Sequence, residues 1–172
     1  FQPVRGDACR LLHLHCGRQA VTPAPAGSGL SAVLVHLDDG PDARARCELA
    51  ITIADRFGAR LIGAAAAQPI IPVYAPYGEG LIALQPEIAE AARAQIERTV
   101  NDAKAVFDEV VGKRGDIEWR ASSGRRGEDF IVEQGRAANL IIVGRRGQNE
   151  APDPVLGISP ADVLMAAGRP VL

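Results

Sequence analysis

From residue 31 onward, short apolar runs alternate with stretches whose apolar residues recur every three or four positions. AVLVHL at 32–37 is β-branched and nearly continuous, and it ends at Asp38-Asp39-Gly40-Pro41. Helical spacing follows over 41–57, where Ala45, Leu49, Ile53 and Phe57 form a stripe and Gly58 supplies a stop. RLIGAAAA at 60–67 is a second unbroken run, as a strand covered on both faces should be. PIIPVYAPYGEGLIAL at 69–84 holds three prolines, two glycines and both tyrosines, so it reads as a long loop of the kind that often carries function. Pro86 suits the first turn of a helix predicted over 87–114, with Ile88, Ala92, Ile96, Val100, Ala103, Val106, Phe107 and Val110 on its buried side. IEWRA at 117–121 alternates like a strand, and Ser122-Ser123-Gly124 turns the chain. A short helix over 127–138, a buried strand over 139–143 and a last helix near 160–167 complete the pattern, before Gly168-Arg169-Pro170 leads into a fifth strand cut short at Leu172.

Strands alternating with helices predict one α/β domain: an open, parallel, five-stranded, Rossmann-like sheet with helices on both faces. Such sheets take ligands at the carboxyl ends of their strands, where the strand order reverses. Asp38, Gly124 and Gly144 each follow a predicted strand and should share that edge.

Composition narrows the function classes. With 172 residues, 47% of them apolar, the chain can bury a core without disulfide staples. A net charge of −2 argues against a general nucleic-acid binder, and no apolar run reaches the roughly 18–20 residues of a membrane span. Cys9, Cys16 and Cys47 are odd in number and scattered, which fits a reducing cytoplasm. Residues 1–29 differ in character, a Cys/His/Leu cluster followed by VTPAPAGSG, and are expected to be an appendage to a domain spanning 30–172. Within it Cys9, His13, His15 and Cys16 are zinc-ligand types, but C-x3-H-x-H-C matches no familiar knuckle and no metal site is assigned. The chain opens on Phe1 and stops within a strand, so both ends are expected to be incomplete.

The feature richest in chemistry is GRRGQNEAPDPVLGIS at 144–159, which spaces Gly144, Gly147 and Gly157 as G-x2-G-x9-G after the run LIIV. Glycines after a strand let backbone N–H groups approach a phosphate. Glu150 and Asp153 would repel one, and Pro152 and Pro154 remove donors. Ser159 before Pro160, with Asp162 three residues on, reads as a helix N-cap. Arg125, Arg126, Arg145 and Arg146 gather on the same predicted edge, where a solvated rim is the simpler expectation and an anion site the alternative. Gly157-x-Ser159-x-Ala161 imitates a nucleophile elbow, but it follows a proline-rich loop, and the only histidines are His13, His15 and His36, so no triad forms.

The Asp-Asp-Gly after strand one, Gly124 after IEWRA, NLIIVGRRG, the nine-residue gap to Gly157 and VLMAAGRPVL together resemble the universal stress protein family over residues 30–172. The resemblance implies ATP binding in a subset of members: Asp38 near the adenosine, and Gly144, Gly147 and Gly157 carrying N–H groups to ribose and phosphates. It also implies a hydroxyl directly after the last glycine, to hold a phosphate oxygen. That position is Ile158, with Ser159 displaced by one. The expectation is therefore a non-enzymatic stress-response or signalling module with a degenerate nucleotide loop, without a cofactor. Pairing as a homodimer through the last strand, and an unknown protein partner, follow from the resemblance. The alternative is an ATP-binding sensor, with magnesium and slow hydrolysis. Candidate nucleotide-contacting residues are Asp38, Gly124, Gly144, Gly147, Gly157 and Ser159.

Overall fold

A computed structural model describes residues 29–38, 40–68, 85–144 and 156–172. Eight elements follow in order: β1 (Ala32–His36), α1 (Ala43–Phe57), β2 (Arg60–Ala66), α2 (Gln85–Val111), β3 (Ile117–Ser122), α3 (Gly127–Gly135), β4 (Leu140–Ile142) and α4 (Pro160–Ala167). The strands form a parallel sheet in the order β3-β2-β1-β4, with Val33 opposite both Leu61 and Leu140, and Leu61 opposite Ile117. The expected appendage, apart from Gly29, and the long loop over 69–84 lie outside the described residues.

The unbroken apolar runs of β1 and β2 are explained by the sheet's two covered faces. Val33, Val35, Leu61 and Ala65 pack with Cys47, Ala50, Ile96, Ala103 and Phe107, on the side of α1 and α2. Their neighbours Ala32, Leu34, Ile62 and Ala64 pack with Phe130, Ile131 and Val163, on the side of α3 and α4. Alternate residues of each strand thus enter opposite clusters, and the buried polar residue of these two strands, His36, stands at the carboxyl end of β1. The edge strand β3 is only partly buried, with Trp119 packed on Phe107 at 5.3 Å between ring centroids.

Two details differ from the sequence reading. The inward stripe of α1 is Ala43, Arg46, Cys47, Ala50 and Ala54, while Ala45 is exposed and Leu49 is 45% exposed. Small side chains let the helix lie close on the bulky Val and Leu residues of the sheet, and the larger Ile53 and Phe57 pack at the flanks. The sheet has four strands among the described residues, not five. Pro170–Leu172 run beside β4, but only one parallel bridge forms, Ile141 to Val171, held by Ile141 N–H to Pro170 O at 3.0 Å and Leu172 N–H to Ile141 O at 2.9 Å. Only Pro170–Leu172 run beside β4, so the fifth position is a single rung and the fold class is unchanged.

Burial, and then the neighbouring Glu48 charge, push the Cys47 thiol from 9.0 up to about 11. A thiol pKa raised in the fold contributes stability below the ordinary value, and this is lost as pH rises toward the folded one. Unfolding free energy measured against pH should therefore fall between about pH 9 and pH 11 by a component that Cys47→Ala lacks; parallel curves for the two proteins would contradict this.

Candidate functional site

The chain leaves β1 toward β2 and β3 and returns to β4 on the other side of β1, so the strand order reverses between the carboxyl ends of β1 and β4. Asp38 and Gly144 follow those two ends, as the sequence predicts. The crevice between them is filled by Arg46, whose side chain is 8% exposed. Its Nε donates to the His36 carbonyl at 2.8 Å, and its Nη2 lies 2.7 Å from Asp38 Oδ1. Asp38 Oδ1 also accepts the Gly40 N–H at 3.1 Å, and Oδ2 is 4.0 Å from Nδ1 of the buried His36. The guanidinium therefore balances a partly buried carboxylate and ties the end of β1 to α1.

Gly144 has a packing reason to be glycine. A Cβ there would sit 2.0 Å from Arg46 Nη1. Sequence reasoning missed Arg46, although its place three residues after Ala43 and four before Ala50 put an arginine inside an apolar helical stripe.

A second group forms where α3 and α4 begin. Leu156, fully buried, joins the cluster under α1 and α2, whereas Ile158, 6% exposed, joins the cluster under α3 and α4. Gly157 therefore lies where the chain passes from one face to the other at the sheet's carboxyl edge. Ile158 fills the space above Gly127, where a Cβ would meet its Cγ2 at 2.5 Å. Ser159 is extended (φ −85°, ψ 111°) and caps α4, its Oγ accepting the Asp162 N–H at 3.4 Å with Pro160 in the first turn. The Ser159 N–H donates to Glu128 Oε1 at 3.0 Å.

The other predicted residues do not join these groups. Gly124 is exposed in the turn between β3 and α3, with open space around its Cα. Gly147, with Glu150, Pro152, Asp153, Pro154, Arg145 and Arg146, lies outside the described residues. Arg125 and Arg126 face acidic partners: Arg125 pairs with Glu133 at 2.6 Å and lies over the Phe130 ring, and Arg126 is 3.8 Å from Glu128. The Arg125 hydrogen bond holds the Glu133 carboxyl below its ordinary range. An open cleft of about 280 Å³ between α2 and the end of β3 is lined by Glu97, Val100, Asn101, Ala121, Ser122 and Ser123. Among the described residues, no three His, Cys, Asp or Glu side chains converge to hold a metal, and no helix is long and apolar enough to cross a membrane.

No protein-family model matches the sequence, and no curated protein matches it. Solved structures do. The universal stress protein UspA from Lactobacillus plantarum is 22% identical, with a TM-score of 0.59 over 83% of this chain and 95% of that one. The hypothetical protein MJ0577, from a structure-based assignment of biochemical function, is 15% identical, with a TM-score of 0.58 over 83% and 93%. A universal stress protein in complex with cAMP is 26% identical, with a TM-score of 0.48 over 84% and 96%. The chain is an α/β protein with a parallel, Rossmann-like sheet. More narrowly, its fold is that of universal stress proteins, which it resembles over most of its length.

If Gly144 is kept by Arg46, its substitution harms the ligand-free protein. Gly144→Ala should lower unfolding stability by about 1–3 kcal/mol in denaturant titrations, through overpacking. In an Arg46→Met background most of that loss should vanish, giving a coupling above about 0.5 kcal/mol. A Gly144→Ala variant as stable as the parent would show that the close approach is not what the position serves.

Proposed function

We propose that this chain is a non-enzymatic stress-response or signalling module of universal stress protein type, working as a homodimer through its last strand, whose phosphate loop no longer serves nucleotide. The observation that carries the reading is Ile158. The residue in the place of the family's phosphate-binding hydroxyl is an aliphatic side chain committed to the core between α3 and α4. The neighbouring hydroxyl of Ser159 is engaged as a helix cap, and the Ser159 N–H is taken by Glu128. At the other end of the crevice, Arg46 pairs with Asp38, the carboxylate that the resemblance would turn toward an adenosine.

These residues do not fit a magnesium-bound triphosphate. Among the described residues, Ile158 is apolar, the Ser159 hydroxyl is used as a cap and the Ser159 N–H is already bonded to the chain's own acid. The glycine spacing is what favours the competing reading, an ATP-binding sensor, and Arg46 gives Gly144 a different reason to be there. The outer edge of the segment beside β4, which pairs with no strand among the described residues, and the exposed Leu164, Met165 and Leu172 support pairing at that end of the sheet.

Calorimetric titration of the full chain with ATP and Mg²⁺ should give no saturable heat. A micromolar dissociation constant, equivalent to about −8 kcal/mol, would replace this reading by the nucleotide sensor. Sedimentation at tens of micromolar should show a dimer, and a monomer there would remove the proposed pairing.

A further inference from the structure

Two helix beginnings meet at one carboxylate. Glu128 lies in the first turn of α3, beside Asp129, and its Oε1 accepts the N–H of Ser159 at the cap of α4. Its Oε2 is 3.8 Å from Arg126 Nη2, and its side chain is 18% exposed against 56% for Arg126. Ile158, seated on Gly127, holds the two helix starts at this separation. The free N–H groups and the dipole at a helix start favour negative charge, so the carboxylate sits where an anion is most stabilised. Here the anion belongs to the chain, and no translational freedom is lost in bringing it there. An incoming anion would have to displace Glu128 or lie against it, in like-charge contact.

We propose that Glu128 is the residue that sets this edge against anions: a built-in carboxylate that occupies the start of α4 and excludes phosphoryl groups. Its removal turns the Ser159 N–H, the Ala161 N–H and the Arg126 guanidinium into a site for inorganic phosphate or a phosphate monoester. The inference rests on the reading that the native loop holds no nucleotide, and it concerns the residue that enforces that state. Pro160 has no N–H, so the donor set is small and the affinity gained is for a phosphate group, not for a nucleobase.

The test is an amide NMR titration of the full chain with inorganic phosphate at constant ionic strength, for the native protein, Glu128→Ala and Glu128→Gln. In Glu128→Ala, saturable shifts at Ser159 and Ala161 should appear with an apparent dissociation constant at least about tenfold below that of the native chain. Glu128→Gln keeps an oxygen on the Ser159 N–H but removes the charge; it should gain in the same direction, and it carries the test if the alanine variant does not fold. Equal responses in the native chain and in the folded variants would overturn the proposal. Native binding of ATP would instead sink the functional reading above, so the two failures are distinct.

Discussion

The carboxyl edge of this sheet depends on one buried guanidinium. Arg46 reaches from α1 across the ends of β1 and β4, bonds the His36 carbonyl and Asp38, and presses on Gly144. A buried ion pair is weak evidence for stability, because removing both charges from water offsets much of their attraction. What it supplies here is placement. With Arg46 in position, Asp38 turns to its own chain, β4 can continue only through a residue without a side chain, and the crevice where strand order reverses is occupied from within.

The same principle operates at the start of α4. Leu156 and Ile158 anchor the returning chain on opposite faces of the sheet, Ser159 caps the helix, and Glu128 supplies the acceptor for the Ser159 N–H. At both ends of the edge, Asp38, the Ser159 hydroxyl and the Ser159 N–H are, among the described residues, bonded to groups of the protein itself. An edge whose donors and charges are already paired gains little from an arriving anion, since each new bond replaces an existing one.

Features set by local rules could be read from the sequence. The unbroken runs at 32–37 and 60–67 became β1 and β2 because both faces are covered, and Ser159-Pro160 formed the expected cap because capping needs only residues a few positions apart. The stripe of α1 was misread because periodicity marks apolar residues without showing which of them fit close to a sheet; small Ala and Cys faced inward and Leu49 faced out. The fifth strand is a single bridge because only Pro170–Leu172 run beside β4. Glu128 left no local signal, being 31 residues from the N–H it serves. Ile158 was visible as a missing hydroxyl, but its role as a wedge between α3 and α4 emerges only once Gly127 is placed beside it.

On the proposed function, the switch crevice is closed by Arg46 in the resting protein and stays closed when nucleotide is offered. The most direct measurement is the ¹⁵N-detected Nε–H resonance of Arg46, which a hydrogen bond to the His36 carbonyl should protect from solvent exchange. The prediction is a sharp, slowly exchanging signal that does not move when ATP and Mg²⁺ are added in large excess. A signal that exchanges rapidly in the free protein, or one that shifts saturably with nucleotide, would contradict it.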